Sequence, residues 1–322
     1  VVPSIKALKD SNLFDRTTLA LFPSGVKADK AYSVLPENGT GDLTVVRNTT
    51  ATRVNSSGFI EVVAANVARY TYLTVGGNPF LLDEPQRTNL VTNSQNYAAP
   101  SWVKVECSVS TTFTTAPDGT LTGNKIIENS NPSSASHLIV QSLSVNTNQF
   151  HSGIFYAKAG ERNFCKFNFG GNGFGGVGFS VDLTNGQIGN NNSGTSPITR
   201  ALPNGWVEVS FSKQVSATNG NIQLQIGPIP TINTNNYIGD GVSGIYLWGF
   251  QLEQAVRSSS YIPTTNAAVT RNADVITVVP PAETLKITTT FSDNTTQVLT
   301  TIPATYTVPE GLIKSIVMDN TL

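Results

Sequence analysis

Apolar and polar positions alternate over short stretches through most of this chain, and the alternation predicts strands. Gly153 to Lys158 sets Ile154, Tyr156 and Lys158 on one face against Phe155 and Ala157 on the other. Phe164 to Phe169 sets Phe164, Lys166 and Asn168 against Cys165, Phe167 and Phe169. The split is cleanest over Asn221 to Ile226, where Ile222, Leu224 and Ile226 oppose Asn221, Gln223 and Gln225. Phe179–Leu183, Val207–Phe211 and Ile245–Leu252 read as further strands. Strands wet on one face predict antiparallel sheets, and short apolar runs divided by Gly, Asn, Ser and Pro predict a β-sandwich.

The flanks read differently. Over residues 4–22, Ile5, Leu8, Leu13, Leu19 and Leu21 keep poor helical period and stop at Pro23, which leaves a helix or an extended docking arm. Leu43–Arg47 and Phe59–Val63 are expected to form a hairpin through Asn55-Ser56-Ser57-Gly58. Tyr70–Val75 is a strand that ends at Gly76-Gly77-Asn78-Pro79. Beyond Pro280-Pro281, Leu285–Phe291 and Gln297–Ile302 flank a turn at Ser292-Asp293-Asn294, and Tyr306–Val308 and Leu312–Val317 add two strands.

The predicted architecture is all-β. An antiparallel β-sandwich spans 81–277, preceded by an extended, β-rich attachment segment over 1–80 and followed by a small β-sheet element over 278–322. The terminal pieces are too small to bury their apolar strands alone. They are expected to pack on neighbouring copies in a homo-oligomer, with a homotrimer as the expected state.

Composition narrows the classes. The 322 residues suffice for two domains. Charged residues are 13% and the net charge is −1, so no basic footprint for nucleic acid or anionic membrane is expected. No apolar run nears the roughly 18 residues of a membrane span, so no membrane insertion is expected. No signal peptide opens the chain and Val1-Val2-Pro3 lacks an initiator methionine, so a secretory route is not expected and residues before Val1 are missing or removed. Cys107 and Cys165 lack metal-ligand spacing and read as two buried small hydrophobes.

Catalytic chemistry finds little to stand on. His137 and His151 lie in no nucleophile elbow or H-E-x-x-H pattern and read as surface or turn residues. A glycosidase needs two carboxyls about 5 to 10 Å apart, and Glu128, Glu161, Asp182, Glu208 and Glu253 are the residues from which folding would have to assemble them. The glycine-rich stretch 170–178 has no following helix and no P-loop lysine, so it reads as an inter-strand loop rather than a phosphate cradle. Sugar recognition has better material. The outward set Tyr156, Lys158, Lys166, Asn168, Gln223 and Gln225 combines an aromatic ring, ammonium groups and amides, and forms a glycan-binding candidate wherever the strands adjoin. Trp102, Trp206 and Trp248 read as core anchors, Trp206 also as a groove residue. Glu84, Arg87, Asn89, Arg271 and Asp274 stand where the sandwich begins and ends and are expected to form a structural hydrogen-bonded cluster.

Several phrases together resemble fibre, spike and related virion proteins of tailed phages. They are Thr52-Arg53-Val54-Asn55 with Gly58-Phe59-Ile60-Glu61, Glu84-Pro85-Gln86-Arg87-Thr88-Asn89-Leu90, and Tyr156-Ala157-Lys158-Ala159-Gly160-Glu161-Arg162. Asn204-Gly205-Trp206, Trp248-Gly249-Phe250-Gln251-Leu252-Glu253 and Tyr261-Ile262-Pro263-Thr264 complete them, so the resemblance covers roughly 45–277. It implies a non-enzymatic virion subunit with a jelly roll similar to carbohydrate-binding modules, assembled in the host cytoplasm. Its implied partners are other virion proteins through the N-terminal segment and a host-surface glycan. No cofactor is implied, although jelly rolls of this kind often hold a structural calcium; oxygen ligands abound here, and no EF-hand spacing marks one. A decoration or head–tail protein without ligand, and a glycan-degrading depolymerase, are the competing readings.

Overall fold

The computed structural model describes residues 16–23, 42–131, 133–171, 177–192, 194–216 and 220–321. They fall into two compact units, Val1–Gln86 with Arg271–Leu322 and Arg87–Thr270, called here the terminal and central units. In chain order the strands are β1 (Thr17–Leu21), β2 (Thr44–Val46), β3 (Ala51–Val54), β4 (Ile60–Val63), β5 (Arg69–Tyr72) and β6 (Pro79–Asp83). There follow β7 (Arg87–Asn89), β8 (Val103–Val105), β9 (Cys107–Thr114), β10 (Gly123–Glu128), β11 (Leu138–Ser144), β12 (Phe150–Ala159) and β13 (Phe164–Gly170). Next come β14 (Val177–Asp182), β15 (Ile188–Asn192), β16 (Ile198–Ala201), β17 (Trp206–Gln214), β18 (Asn221–Ile229) and β19 (Gly244–Glu253). The last are β20 (Val269–Arg271), β21 (Val275–Val278), β22 (Lys286–Phe291), β23 (Thr296–Leu299), β24 (Tyr306–Thr307) and β25 (Gly311–Asp319).

The central unit packs two six-stranded antiparallel sheets, in the orders β16-β17-β12-β19-β10-β9 and β15-β14-β13-β18-β11-β8. From β10 to β13 the chain switches sheet at every step. β13 and β14 form a hairpin, and β17, β18 and β19 switch again. The resulting orders β17-β12-β19-β10 and β14-β13-β18-β11 are those of a jelly roll. Both sheets send alternate residues inward. Phe155, Val209, Phe211, Leu247 and Phe250 come from the β12 sheet and meet Cys165, Phe167, Phe169, Phe179 and Leu224 from the β13 sheet. Phe167 and Phe211 stack at 4.5 Å between ring centroids, and Phe155 and Phe250 at 5.5 Å. Core parity along β19 changes at Gly249, whose φ of +59° admits a bulge where the β12 register slips. Cys107 and Cys165 are free and buried; Trp102 belongs to the core between the sheets, whereas Trp206 and Trp248 are buried outside that core.

The terminal unit corrects the expectation that the chain's ends cannot bury themselves. β25 lies between β22 and β6 and also pairs with β1, in a sheet of order β23-β22-β25-β6-β5. Leu19, Tyr70, Leu81, Ile276, Ile287, Ile313 and Met318 share one core. The described residues of the two terminal segments thus share one core within one chain. The division itself moves as well, with the jelly roll at Arg87–Thr270 rather than 81–277. Two local expectations also change. The Asn55–Gly58 turn joins β4 to β3, not to the Leu43–Arg47 strand, because β2 pairs with β21 instead. Of residues 4–22, Thr17–Leu21 is a strand, and 4–15 lies outside the described residues. The hairpin over β22 and β23 forms as expected.

Candidate functional site

The jelly roll has two outer faces, and they separate the six glycan-binding candidates. On the β12 sheet Tyr156 does point away from Phe155, but it does not meet water. It is 2% exposed, packed edge-on to Trp248 at 5.2 Å and Tyr261 at 5.9 Å. Burial pushes its phenol well above the usual range. Indole NH groups pin neighbouring segments nearby: Trp206 Nε1 donates to Thr115 O at 2.8 Å and Trp248 Nε1 to Thr122 Oγ1 at 3.0 Å. Tyr156 is therefore a second-core residue, contrary to the sequence expectation. Lys158, opposite Trp206 in the same sheet, is half-buried and lies apart from the remaining candidates.

The other four adjoin on the outer face of the β13 sheet. Asn168 is opposite Gln225, Lys166 opposite Gly227 and Gly170 opposite Gln223 across β13 and β18. On the far side Asn168 faces Gly178 and Lys166 faces Ser180 of β14. Lys166, Asn168, Ser180, Asn190 and Gln225 line a cleft of about 210 Å³, with Ile232, Thr234 and Asn235 as one wall. Glycine shapes its floor. A Cβ at Gly178 would stand 2.3 Å from the Asn168 amide, and one at Gly170 2.3 Å from Gln225 Nε2, so the two glycines let the amides lie along the sheet. A Cβ at Gly189 would strike Ile232 at 2.4 Å, which makes room for the wall.

Polar groups in the cleft are oriented but not exhausted. Gln225 Nε2 donates to Gln223 Oε1 at 3.0 Å, and Ser180 Oγ to Ile232 O at 2.6 Å. The Asn168 amide is satisfied when its nitrogen donates to Phe167 O and its oxygen accepts from Lys166 Nζ, both at 3.2 Å. Burial holds the Lys166 ammonium below its ordinary pKa. A second depression of about 300 Å³, with Ser142, Ser144, Asn221 and Gln223 in its lining, lies along β11 and β18. The middle of the glycine-rich stretch, 172–176, lies outside the described residues.

The carboxylates proposed for hydrolysis are bound up in local structure. Glu128 is fully buried, and burial alone would raise its pKa. Bidentate pairing with Arg162, a hydrogen bond from Tyr237 Oη at 2.6 Å and one from Asp240 N at 3.0 Å outweigh that and hold it low. Glu208 pairs with Arg200, Glu161 with Lys125 at 2.7 Å, and Glu253 accepts from Ser259 Oγ at 2.8 Å. Asp182 accepts from Thr184 N and Oγ1 in a turn. His137 and His151 are buried rather than at the surface, the former with its ring nitrogens 2.5 Å from Glu106 O and 3.2 Å from Tyr237 O. Among the described residues no group of three or more His, Cys, Asp or Glu is placed to hold a metal ion.

The expected structural cluster divides between the units. In the terminal unit Glu84, Arg271 and Asp274 do meet, joined by Arg47 and Arg69, which sequence reading missed. Arg47 Nη1 reaches Asp274 Oδ1 at 2.6 Å, Arg69 Nη1 reaches Glu84 Oε2 at 2.8 Å and also pairs with Asp274, and Arg271 Nη1 lies 3.1 Å from Glu84 Oε2. All three guanidiniums are buried. Arg87 and Asn89 belong to the central unit. Asn89 there saturates its amide, donating to Phe250 O and Ile262 O and accepting from Val91 N and Leu252 N. Thr264 Oγ1 donates to Val91 O at 2.6 Å and Gln251 Oε1 accepts from Ile262 N at 2.7 Å, so the phrases that bracket the domain close its ends together.

No family model matches the chain, and no curated protein matches it. Among solved structures it is similar to the CBM22-1–GH10 modules of Clostridium thermocellum xylanase 10B complexed with xylohexaose, at 15% identity and TM-score 0.33 over 57% of this chain. It spans 30% of that chain's length. It is also similar to the CBM22-1–CBM22-2 tandem of Paenibacillus barcinonensis Xyn10C, at 10% identity and TM-score 0.33, over 74% of this chain and 84% of that one.

Proposed function

We propose that the central unit is a saccharide-binding jelly roll carried by a tailed-phage virion subunit, and that it attaches to host-surface glycan without cleaving it. The observation that carries this reading is the cleft on the β13 sheet, where amides and one ammonium converge on a rigid floor while the β12 face is closed. Sugars are recognised by such sets of fixed hydrogen-bonding groups in concave sites. The commitment of Glu128, Glu208, Glu161 and Glu253 to local partners supports binding without turnover. The phrase-level resemblance to fibre and spike proteins supports a place on the virion, with the N-terminal segment turned to other virion proteins.

The test is adsorption of the whole protein to host cells, with Asn168→Ala/Gln225→Ala as the variant. Losing two hydrogen bonds of about 0.5–1.5 kcal/mol each should weaken adsorption about fivefold or more. No new reducing ends should appear on incubation with host polysaccharide. Unchanged adsorption in a folded variant favours the ligand-free decoration protein instead, and released reducing ends favour the depolymerase.

A further inference from the structure

We propose that the saccharide taken by the β13 cleft is an acidic one, a sugar whose anionic substituent is received by Lys166. The inference rests on the saccharide reading of that cleft and deepens it.

The charge layout is the first ground. Lys166 is the one charged side chain in the cleft lining, which contains no Asp or Glu. The central unit's undescribed residues, Pro132, 172–176, Ser193 and 217–219, are also without carboxylates, so they supply no counterion. Three other cations of the unit pair with carboxylates within it, Lys125 with Glu161, Arg162 with Glu128 and Arg200 with Glu208, while Lys104 Nζ donates to Ala98 O and Ala99 O. Lys166 has instead an amide oxygen, that of Asn168. A half-buried ammonium facing only neutral dipoles has lost water without gaining an opposite charge. The lowered pKa that burial gives Lys166 is the expected signature of that state.

The second ground is that no described residue gives the cleft a stacking platform. Neutral sugars present apolar ring faces that aromatic side chains cover. The two aromatic residues in the lining, Phe169 and Phe179, are 0% and 2% exposed and belong to the core between the sheets. What the floor offers is hydrogen-bonding capacity around a cation, from Asn168, Gln225 and Asn190. Such a site distinguishes ligands by charge and hydroxyl pattern. A carboxylate or sulfate within about 3 Å of Nζ would restore the electrostatic balance that burial removed, and the amides would hold neighbouring hydroxyls.

The experiment measures binding of the full chain to alginate, hyaluronan and polysialic acid, each beside its carboxyl-reduced neutral counterpart, and to dextran sulfate beside dextran. Wild type should bind at least one acidic polymer at least about tenfold more tightly than its neutral counterpart. Lys166→Met should lose that same factor on the acidic polymer and change little on the neutral one, with an unchanged thermal melt. Lys166→Arg should recover most of the loss, and the acidic preference should shrink as salt rises. Selectivity confined to the carboxylate polymers identifies a uronate or sialate class, and selectivity confined to dextran sulfate identifies a sulfated one. Equal binding of acidic and neutral polymers, or an acidic preference untouched by Lys166→Met, overturns the acidic inference while leaving a saccharide cleft in place. Failure of wild type to bind any of these polymers overturns the inference; if Asn168→Ala/Gln225→Ala also leaves adsorption to host cells unchanged, the saccharide reading falls with it.

Discussion

The two outer faces of the jelly roll begin from the same sequence pattern and end in opposite states. On β12 the residues facing away from Phe155 include Ile154 and Tyr156, both buried, Tyr156 against Trp248 and Tyr261, while Lys158 farther along that face is half-buried. On β13 and β18 the residues facing away from Phe167 and Leu224 are Lys166, Asn168, Gln223 and Gln225, and they line open depressions. Alternation assigns side chains to the two sides of a sheet. It carries no information about which side is later covered by another part of the chain.

The chemistry of the two sets does carry some. Ile154 and Tyr156 bring apolar area that is stabilised by a cover, whereas Lys166 and the amides are costly to bury without partners. The largest expected effect tests the covered face. Tyr156→Ala should destabilise the central unit by about 3–5 kcal/mol, the range for removing a buried aromatic ring, measured by denaturant unfolding. A loss under about 0.5 kcal/mol, the usual range for surface substitutions, would return Tyr156 to the solvent face.

The contrast between polar groups that are matched and those that are not recurs in the terminal unit. Beside the cluster of Arg47, Arg69, Arg271, Glu84 and Asp274 lies Asp83, buried with Oδ2 unpartnered. Burial foremost, then the charges of Asp274, Glu310 and Glu84, push its pKa up to about 7, against an opposing pull from Arg69. The stability gained by keeping Asp83 protonated is complete below its ordinary value of 3.8 and is lost as pH rises through about 7. Asp83→Asn should remove that slope, leaving the variant roughly 2–4 kcal/mol more stable than wild type above pH 8. Melts of both proteins between pH 4 and 8, running parallel throughout, would show that Asp83 ionises freely in the fold.

The smallest effect belongs to the open face. Gln225→Ala should change stability by less than about 0.5 kcal/mol, because among the described residues its amide bonds only the neighbouring Gln223 side chain. A cost above about 2 kcal/mol in the same unfolding assay would mean that this face is covered too.

Most of the jelly roll was legible in the sequence, because period-2 stretches such as Asn221–Ile226 and Phe164–Phe169 name both the strand and its core side. So was the adjacency of Lys166, Asn168, Gln223 and Gln225, given only that β13 and β18 pair. Three things were not. Tyr156 is packed by Tyr261 from the segment Ser258–Thr265, and Thr115 and Thr122 are pinned by the neighbouring Trp206 and Trp248; the Gly, Ser, Thr and Pro content of both segments reads as loop. The union of the two chain ends depends on pairings such as β1 with β25, which no local pattern encodes. The buried cluster gathers Arg47 and Arg69 from distant strands. Its local signal was slight: a lone arginine after Val45-Val46 and another before Tyr70-Thr71-Tyr72, each a cation in an otherwise uncharged strand that calls for a remote carboxylate.

Thiol labelling under native conditions tests the opposite fates of the two faces most directly, since the chain's own Cys107 and Cys165 are buried. The account predicts that Gln225→Cys reacts with a maleimide at the rate of an exposed thiol, and that Tyr156→Cys reacts only as fast as the unit unfolds. Rapid labelling of Tyr156→Cys in the folded protein, or protection of Gln225→Cys, would contradict it.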